Sequence, residues 1–283
     1  MNRWNKSFVS LVAIASSTTN ASNSLITTTM PQIQSLVRNI NSTTTTGSKV
    51  SADSNKTKRI LDAKRIIQSS DVVCFDVDST VIIEEGIDEL ADFCGKGEEV
   101  SNLTKEAMGG SMTFQEALRR RLDIIKPTQS QIRQFLVEKP STLSPHIKDF
   151  IDYLHSLNKK IYLISGGFHS LIDPVCKELG IPLTNLFANK LLFDYNGNYA
   201  GFDINQPTSR SGGKGDAITQ IRDFNNSQLI SNNQQVIVMI GDGATDLEAC
   251  PPANFFIGYG GNIIRESVRE RAQYYVTDFT QLM

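Results

Sequence analysis

From residue 60 onward, apolar and polar positions follow two alternating patterns. Some apolar runs are short, continuous and rich in β-branched or aromatic residues, as expected for strands buried on both faces. These runs are residues 72–75, 161–164, 236–240 and 255–257. Between them, apolar residues recur at helical spacing and capping signals mark several boundaries. Strands alternating with helices predict an α/β fold: a doubly wound parallel sheet with helices on both faces.

A long stretch of helical pattern follows the first predicted strand. Its first helix should end at Gly95, where the apolar spacing stops. Thr113 with Glu116, and Thr128 with Gln131, carry the capping-box signature of two further helices. The stretch is too long to be a loop of the sheet, so an inserted helical cap is predicted. The predicted cap is residues 86–143, inserted into a core of residues 59–85 and 144–283.

Other local signals lie in the predicted core. Ser144 before Pro145 predicts a helix N-cap followed by proline at the first helical position. Pro174 lies inside a helical pattern, which predicts a kink or a late helix start. Asn196-Gly197 between apolar segments predicts a β-hairpin, and Lys214 opens another predicted helix.

Charge is distributed unevenly. The 283-residue chain has a net charge of −2 and a pI of about 6.0, but residues 1–52 contain no Asp or Glu and 19 Ser or Thr. Residues 1–58 are therefore predicted to be a disordered leader. Its Arg-containing, Ser-rich, acid-poor composition favours a mitochondrial or plastid transit peptide. A secretory signal around residues 8–15, or an inert tail on a cytoplasmic protein, is the alternative.

These totals also exclude several classes of protein. The near-neutral net charge differs from the excess of basic residues that is typical of a nucleic-acid binder. The sequence has no run of about 18 apolar residues, so no membrane span is predicted. The four cysteines show no Cys-x-x-Cys pair, so reduced thiols are expected rather than a zinc site or disulfides. The expected partner is a small molecule. Whether the protein forms a homodimer is not determined by the sequence.

Polar residues follow the carboxyl ends of three predicted strands, where ligands bind in open parallel sheets. They are Asp76 and Asp78, then Ser165, then Asp242 and Asp246. Clustered carboxylates raise one another's pKa unless a cation lies among them, and oxygen ligands without His or Cys suggest Mg²⁺. With Lys214 and the Gly-rich segment after Ser165, the pattern points to phosphoryl chemistry. A solvated acidic rim without function is the alternative.

Four segments resemble, in the same order along the chain, the four motifs of the haloacid dehalogenase-like phosphatase superfamily. They are residues 76–80, 165–166, 214 and 241–246. More narrowly, residues 84–90, 107–110, 165–168 and 211–215 resemble the phosphoserine phosphatase family. The similarity covers about residues 60–283. It implies a Rossmann-like core with an inserted cap, and Mg²⁺-dependent hydrolysis of O-phospho-L-serine to L-serine, the last step of serine biosynthesis.

The resemblance also implies roles for individual residues. Asp76 would be the nucleophile that forms an aspartyl-phosphate, and Asp78 the proton donor and then the base. The Mg²⁺ ligands would be the Asp76 carboxylate, the Asp78 main-chain carbonyl and Asp242. Asp246 would orient magnesium waters or Lys214. The phosphoryl oxygens would be neutralised by Lys214, the Ser165 hydroxyl and the amides of Gly166 and Gly167.

Substrate choice is expected in the cap. By resemblance, Glu85 would bind the substrate ammonium and Arg121 its carboxylate, while the pocket would be shaped by Met108, Gly109, Phe114 and Thr245. From the residues alone, Arg121 reads as a solvated charge within the run Arg119-Arg120-Arg121. Alternative functions are a related phosphatase or phosphotransferase acting on another small phosphorylated metabolite, a receiver-like signalling module, and a non-catalytic scaffold.

Overall fold

The computed structural model describes residues 52–106, 112–227 and 235–283. The leader before residue 52 and the predicted pocket residues Met108 and Gly109 lie outside the described residues. The α-helices are α1 (Ala52–Ser69), α2 (Gly86–Phe93), α3 (Gly97–Glu106), α4 (Phe114–Ile125), α5 (Gln129–Glu138), α6 (Ile147–Ser156), α7 (His169–Glu178), α8 (Gly213–Ser227), α9 (Ala244–Glu248) and α10 (Glu266–Arg271). The strands are β1 (Val72–Phe75), β2 (Lys160–Phe168), β3 (Leu186–Asn189), β4 (Leu191–Phe193), β5 (Tyr199–Phe202), β6 (Ile237–Gly241), β7 (Phe255–Tyr259) and β8 (Tyr274–Val276).

Six of these strands form one parallel sheet in the order β3-β2-β1-β6-β7-β8. Strand β1 is central: Val72 pairs with Lys160 of β2 on one side and Ile237 of β6 on the other. From β1 the chain proceeds to one edge through β2 and β3, and then returns to the other side of β1 with β6. This reversal creates a crevice at the carboxyl ends of β1 and β6, where such sheets bind ligands.

Each face of the sheet is covered by helices. Apolar side chains of α1, α6 and α7 pack on one face, and those of α8 and α10 on the other. All four residues of β1 are buried, which explains its continuous apolar run. The doubly wound α/β prediction is confirmed, and none of the helices among the described residues is long and apolar enough to cross a membrane.

The helices between residues 86 and 138 share a separate apolar cluster. It is formed by Leu90, Val100, Leu118, Leu122, Ile132 and Phe135, and it extends to Phe168 and Leu171 at the start of α7. The antiparallel hairpin β4–β5 packs against the same cluster. At its turn, the Gln129 amide at the start of α5 donates to the Gly197 carbonyl at 2.8 Å. The hairpin predicted at Asn196-Gly197 therefore contacts this helical segment.

The structure corrects several local predictions. Residues 52–58 belong to α1 rather than to a disordered leader. Ser144 is not the N-cap of α6, because His146 occupies that position in a left-handed conformation. The Ser144 hydroxyl donates to the Thr80 carbonyl instead. Helix α7 includes Pro174 and does not start after it.

Two further corrections concern caps and strand ends. Thr113 accepts from the Glu116 amide, but the Glu116 carboxylate pairs with Arg120, so only half of that capping box forms. The Thr128–Gln131 box is complete, and Gly95 follows the end of α2 with a φ of 70°. Strand β2 continues through the predicted Gly-rich end to Phe168. Strands β3 and β8 were not predicted.

Candidate active site

The predicted catalytic residues meet at the carboxyl ends of three neighbouring strands. Asp76 and Asp78 follow β1, Ser165 lies near the end of β2, and Asp242 follows β6. Asp76, Ser165 and Asp242 are buried. The parallel register aligns these strand ends, which explains why residues far apart in the chain converge here.

Lys214, the second residue of α8, lies between two carboxylates. Its ammonium is 2.7 Å from Asp76 Oδ1 and 2.6 Å from Asp246 Oδ1. Burial by itself would lower the pKa of Lys214, but the charges of Asp246 and Asp76 raise it, so the side chain stays protonated. The other Asp246 oxygen, Oδ2, accepts from the Gly243 amide at 2.9 Å. Lys214 therefore supplies positive charge directly beside the predicted nucleophile.

Asp78 is fixed through both carboxylate oxygens. Oδ1 accepts from the Gly86 amide at 2.7 Å, and Oδ2 accepts from the Ser165 hydroxyl at 3.1 Å. Ser165 Oγ in turn accepts from the Gly167 amide at 2.8 Å. A Cβ at Gly167 would lie 3.0 Å from Ser165 Oγ and 3.2 Å from Asp78 Oδ2, so a larger residue there would crowd both side chains. Burial raises the pKa of Asp78 against the lowering effect of these hydrogen bonds, which favours a carboxyl that can carry a proton.

Asp242 is held by groups from two different loops. The Thr80 hydroxyl donates to Oδ1 at 3.1 Å, and Arg265 Nε donates to Oδ2 at 2.7 Å. Arg265 Nη2 also donates to Glu85 Oε1 at 2.9 Å, and the same oxygen accepts from the Ser79 hydroxyl. Burial, followed by the Asp78 charge, raises the pKa of Glu85, whereas Ser79 and Arg265 lower it. One arginine thus connects the predicted metal and ammonium sites.

Three carboxylates could hold a metal ion. Asp76, Asp242 and Asp246 are buried, and each offers an oxygen within 4.8 Å of the others. Burial first, and then the charge of Asp246, raises the pKa of Asp76 well above its ordinary value. Hard, anionic oxygen ligands without nitrogen or sulfur fit Mg²⁺, whose charge would offset this repulsion. Asp246 belongs to this group and also contacts Lys214, one of the two partners that the resemblance implies it orients.

The predicted substrate-binding residues are only partly assembled. The tip of the Phe114 ring approaches Gly166, lying 3.0 Å from where a Cβ on that glycine would stand. Arg121 is partly buried, and its Nε has no hydrogen-bond partner among the described residues. Its neighbours Arg119 and Arg120 are exposed, so Arg121 is the one arginine of this run that is partly withdrawn from solvent. Thr245 is exposed near the start of α9.

Two residues at the site, Asn262 and Arg265, were not predicted from the sequence, and Thr80 was part of the motif at residues 76–80 without an assigned role. The Asn262 side-chain nitrogen lies within hydrogen-bond distance of the Ser79 and Ile82 carbonyls and the Ser144 hydroxyl, three acceptors that share its two N–H donors. The position of Asn262 and Arg265 in the sequence could have identified both of them. The segment 260–265 directly follows β7, so it lies at the same edge of the sheet as Asp242, which follows β6.

Comparison with known proteins defines the class. A model of the haloacid dehalogenase-like hydrolase family matches residues 70–254. A solved structure described as a phospho-aspartyl intermediate analogue of phosphoserine phosphatase superposes with a TM-score of 0.63 at 26% identity; the match covers 76% of this chain and 97% of that one. The chain belongs to the haloacid dehalogenase-like hydrolases, and its relatives narrow the assignment to the phosphoserine phosphatases among them.

Those relatives are similar over most of their length. The phosphoserine phosphatase of Drosophila melanogaster is 64% identical over 221 residues, which are 78% of this chain and 80% of the relative. That of Bos taurus is 50% identical over 220 residues, 78% of this chain and 95% of the relative. The chloroplastic phosphoserine phosphatase of Arabidopsis thaliana is 48% identical over 228 residues, which are 80% of this chain and 74% of the relative. The resemblance inferred from the motifs is confirmed.

Proposed function

We propose that this chain hydrolyses O-phospho-L-serine to L-serine and phosphate in a Mg²⁺-dependent reaction through an aspartyl-phosphate on Asp76. The observation that carries the proposal is the buried group of Asp76, Asp242 and Asp246 with Lys214 inserted among its carboxylates. This group lies at the carboxyl ends of β1 and β6, at the crevice of the sheet. The high identity to phosphoserine phosphatases supports the choice of substrate.

Asp76 is proposed as the nucleophile. Its Oδ1 contacts the Lys214 ammonium and accepts from the Val77 amide at 2.7 Å, so Oδ2 is the oxygen assigned to the attack on phosphorus. The bond from phosphorus to the serine oxygen breaks as the bond to Asp76 forms. This divides one slow hydrolysis into two easier phosphoryl transfers.

Asp78 is proposed to move the proton in both transfers. It first gives a proton to the departing serine oxygen and then takes one from the water that cleaves the aspartyl-phosphate. The hydrogen bonds from Gly86 and Ser165 fix the direction of its carboxylate. Its raised pKa favours the protonated form required in the first step.

The phosphoryl group is proposed to be bound by Lys214, the Ser165 hydroxyl and the amides of Gly166 and Gly167. For this, the Ser165 hydroxyl and the Gly167 amide must exchange their bonds to Asp78 and Ser165 for bonds to phosphoryl oxygens. Mg²⁺, held by Asp76 and Asp242 with the Asp78 carbonyl, would supply charge compensation to the phosphoryl oxygens. Asp246 would keep Lys214 in position through its 2.6 Å contact. Preorganised positive groups of this kind stabilise charge that develops during transfer.

Substrate recognition is proposed to reside in a cap of residues 86–143 and at its junction with the core. Glu85 would bind the substrate ammonium and Arg121 its carboxylate, because a guanidinium matches a carboxylate in a bidentate manner. The buried Nε of Arg121, unpaired among the described residues, supports this assignment. Phe114 would close the pocket over Gly166, with Met108, Gly109 and Thr245 as further wall residues.

The test is phosphate release from phosphoserine, phosphothreonine, phosphoglycolate and a nucleoside monophosphate, each with Mg²⁺ and with a chelator. Phosphoserine is expected to be cleaved fastest, and only with metal. Equal rates across the panel would reject the substrate while keeping the reaction class. They would favour the alternative, a phosphatase acting on other small phosphorylated metabolites.

The location of the enzyme is a separate proposal. We infer that the acid-free residues 1–51, which lie outside the described residues, act as a mitochondrial or plastid address. The chloroplastic relative is compatible with an organellar site. Fusing residues 1–51 to a fluorescent reporter is expected to direct it to an organelle. A diffuse cytoplasmic reporter would contradict the proposal.

A further inference from the structure

Asn262 connects the segments through which the chain leaves and re-enters the sheet. Its side-chain nitrogen donates to the Ser79 carbonyl at 3.1 Å and to the Ile82 carbonyl at 3.2 Å. The same nitrogen lies 2.6 Å from the Ser144 hydroxyl oxygen, so its two N–H donors are shared among three acceptors. Ser79 and Ile82 belong to the segment that runs from Asp78 to α2, and Ser144 lies where the chain returns from α5. One side chain thus holds both connections.

These two connections also pair directly with each other. The Ile83 amide donates to the Thr142 carbonyl at 3.0 Å, and the Ser144 amide donates to the Val81 carbonyl at 2.9 Å. The Ser144 hydroxyl donates to the Thr80 carbonyl at 2.7 Å. The result is a short antiparallel ladder, here called the hinge ladder (residues 81–83 and 142–144). It joins the helices of residues 86–138 to the sheet.

The hinge ladder adjoins the catalytic groups on both sides. Thr80, just before it, donates to Asp242. Gly86, just after it, donates to Asp78. Asn262 is three residues before Arg265, which binds Asp242 and Glu85. A shift of the ladder would therefore displace the proton donor and the proposed ammonium site together.

We propose that Asn262 is a positioning residue that sets the hinge ladder, so that the proposed cap presents phosphoserine in register with Asp78. This inference rests on the proposed function. Asn262 contacts no reacting atom and acts through Ser79, Ile82 and Ser144. Asparagine suits the task because its amide group provides two N–H donors at the end of a short side chain. Small displacements of reacting groups are costly in rate, so a modest shift of the ladder has a large kinetic effect.

The test compares two substrates in Asn262→Ala and Asn262→Asp variants. Phosphoserine needs the proton of Asp78 and the contacts of the cap, whereas para-nitrophenyl phosphate has a good leaving group and lacks the amine and carboxylate. For phosphoserine, kcat/KM is expected to fall by about tenfold to a hundredfold. For para-nitrophenyl phosphate it should change by less than about threefold. Asn262→Asp keeps the size of the side chain but removes the amide donors, so this variant should be impaired as well.

Hydrogen exchange provides a readout that does not depend on turnover. In both variants the amides of Ile83 and Ser144 should exchange faster than in the wild type. The amide protons of β1, which bond within the sheet, should keep their wild-type rates. Ser144→Ala should give the same pattern, and the effect of the double variant should be smaller than the sum of the two single effects, because the two side chains share one contact.

Asn185→Ala is the matched control. Asn185 is also partly buried and also donates from its amide to a main-chain carbonyl, that of Ile161, but at the opposite end of the sheet. Asn185→Ala should leave unchanged the ratio of the two kcat/KM values and the exchange rates of the Ile83 and Ser144 amides. Equal losses with both substrates, or wild-type exchange at Ile83 and Ser144, would overturn the inference. A wild-type enzyme inactive on phosphoserine would instead refute the proposed function, and the exchange data would still decide the role of Asn262.

Discussion

Arg265 donates a 2.9 Å hydrogen bond to Glu85, the carboxylate proposed to receive the substrate ammonium. The same guanidinium donates from Nε to Asp242, so its two contacts use different sides of the planar group. Substrate entry must therefore either share Glu85 with Arg265 or displace that contact. The loop after β7 thus contacts both the proposed metal ligand Asp242 and the proposed ammonium site Glu85.

Replacing Arg265 should impair the enzyme even when the charge is kept. Arg265→Lys retains the cation but cannot contact Asp242 and Glu85 with a fork of fixed geometry. Both Arg265→Lys and Arg265→Ala are expected to lower kcat/KM for phosphoserine by about 10- to 100-fold, as expected for a loss of about 1–3 kcal/mol. Steady-state kinetics measure this. Arg269→Ala, which removes an exposed pair with Glu266 on the same helix, is the control. Full activity in Arg265→Lys would show that charge alone suffices.

Asp76→Asn should abolish turnover. Without the carboxylate no aspartyl-phosphate can form, and a loss of at least about 10⁴-fold in kcat is expected. Phosphate release measures the rate, and mass spectrometry of quenched enzyme detects the phosphorylated protein. Asp216→Asn, which removes an exposed ion pair with Arg210, should leave both unchanged. Substantial activity in Asp76→Asn would reject the nucleophile assignment.

Arg121→Ala should remove recognition of the substrate carboxylate. The expected cost for phosphoserine is about 2–5 kcal/mol in kcat/KM if the pair is desolvated. Phosphoethanolamine lacks that carboxylate, so its slower hydrolysis should be unaffected by the change. The exposed neighbours Arg119 and Arg120 provide matched alanine variants on the same helix. If one of those variants, rather than Arg121→Ala, loses the discrimination, the role belongs to that residue.

Mg²⁺ should stabilise the protein more at neutral than at acidic pH. Burial, followed by the Asp246 charge, raises the folded-state pKa of Asp76 above its ordinary value of 3.8. The folded, metal-free protein therefore binds more protons than the unfolded chain above about pH 4, and this contribution to stability falls as pH rises. Mg²⁺ competes with those protons, so the Mg²⁺-induced increase in Tm should be larger at about pH 7.5 than at about pH 5.

Asp246→Asn should reduce the Mg²⁺-induced increase in Tm, because the variant removes one of the three clustered carboxylates. Differential scanning calorimetry with and without Mg²⁺ measures it. Asp216→Asn again serves as the control, since that side chain is exposed and lies outside the cluster. An increase in Tm that is equal at both pH values would contradict proton competition at this site.

Phe279 should be a major contributor to folding stability although it is close to the end of the sequence. Its ring stacks on Tyr259 at 4.2 Å and on Phe150 at 5.5 Å, and it is completely buried. Phe279→Ala is expected to lower the free energy of unfolding by about 3–5 kcal/mol, because it leaves a cavity. Urea denaturation measures this. Phe224→Ala, at a side chain that is 62% exposed, should change it by less than about 0.5 kcal/mol.

Local signals in the sequence predicted much of the fold. The buried strands β1, β2, β6 and β7 appeared as continuous apolar runs because both of their faces are covered. Strands β3 and β8 were missed. Each includes a half-buried position, and β3 ends in the polar Asn189, so neither shows the fully buried apolar pattern of β1. The Ser144 cap was wrong because tertiary partners occupy its hydroxyl, which accepts from the Asn262 amide and donates to the Thr80 carbonyl.

The sequence alone determined the chemistry of the site: which acids follow which strands, with Ser165 and Lys214 between them. This succeeded because residues directly after parallel strands must share one edge of the sheet. Tertiary structure alone decided which groups pair there. Lys214 contacts both Asp76 and Asp246, and Arg265 bridges Asp242 and Glu85, because folding brings segments that are distant in the chain within hydrogen-bond distance. No local pattern encodes such contacts, since they depend on how helices and loops pack against the sheet.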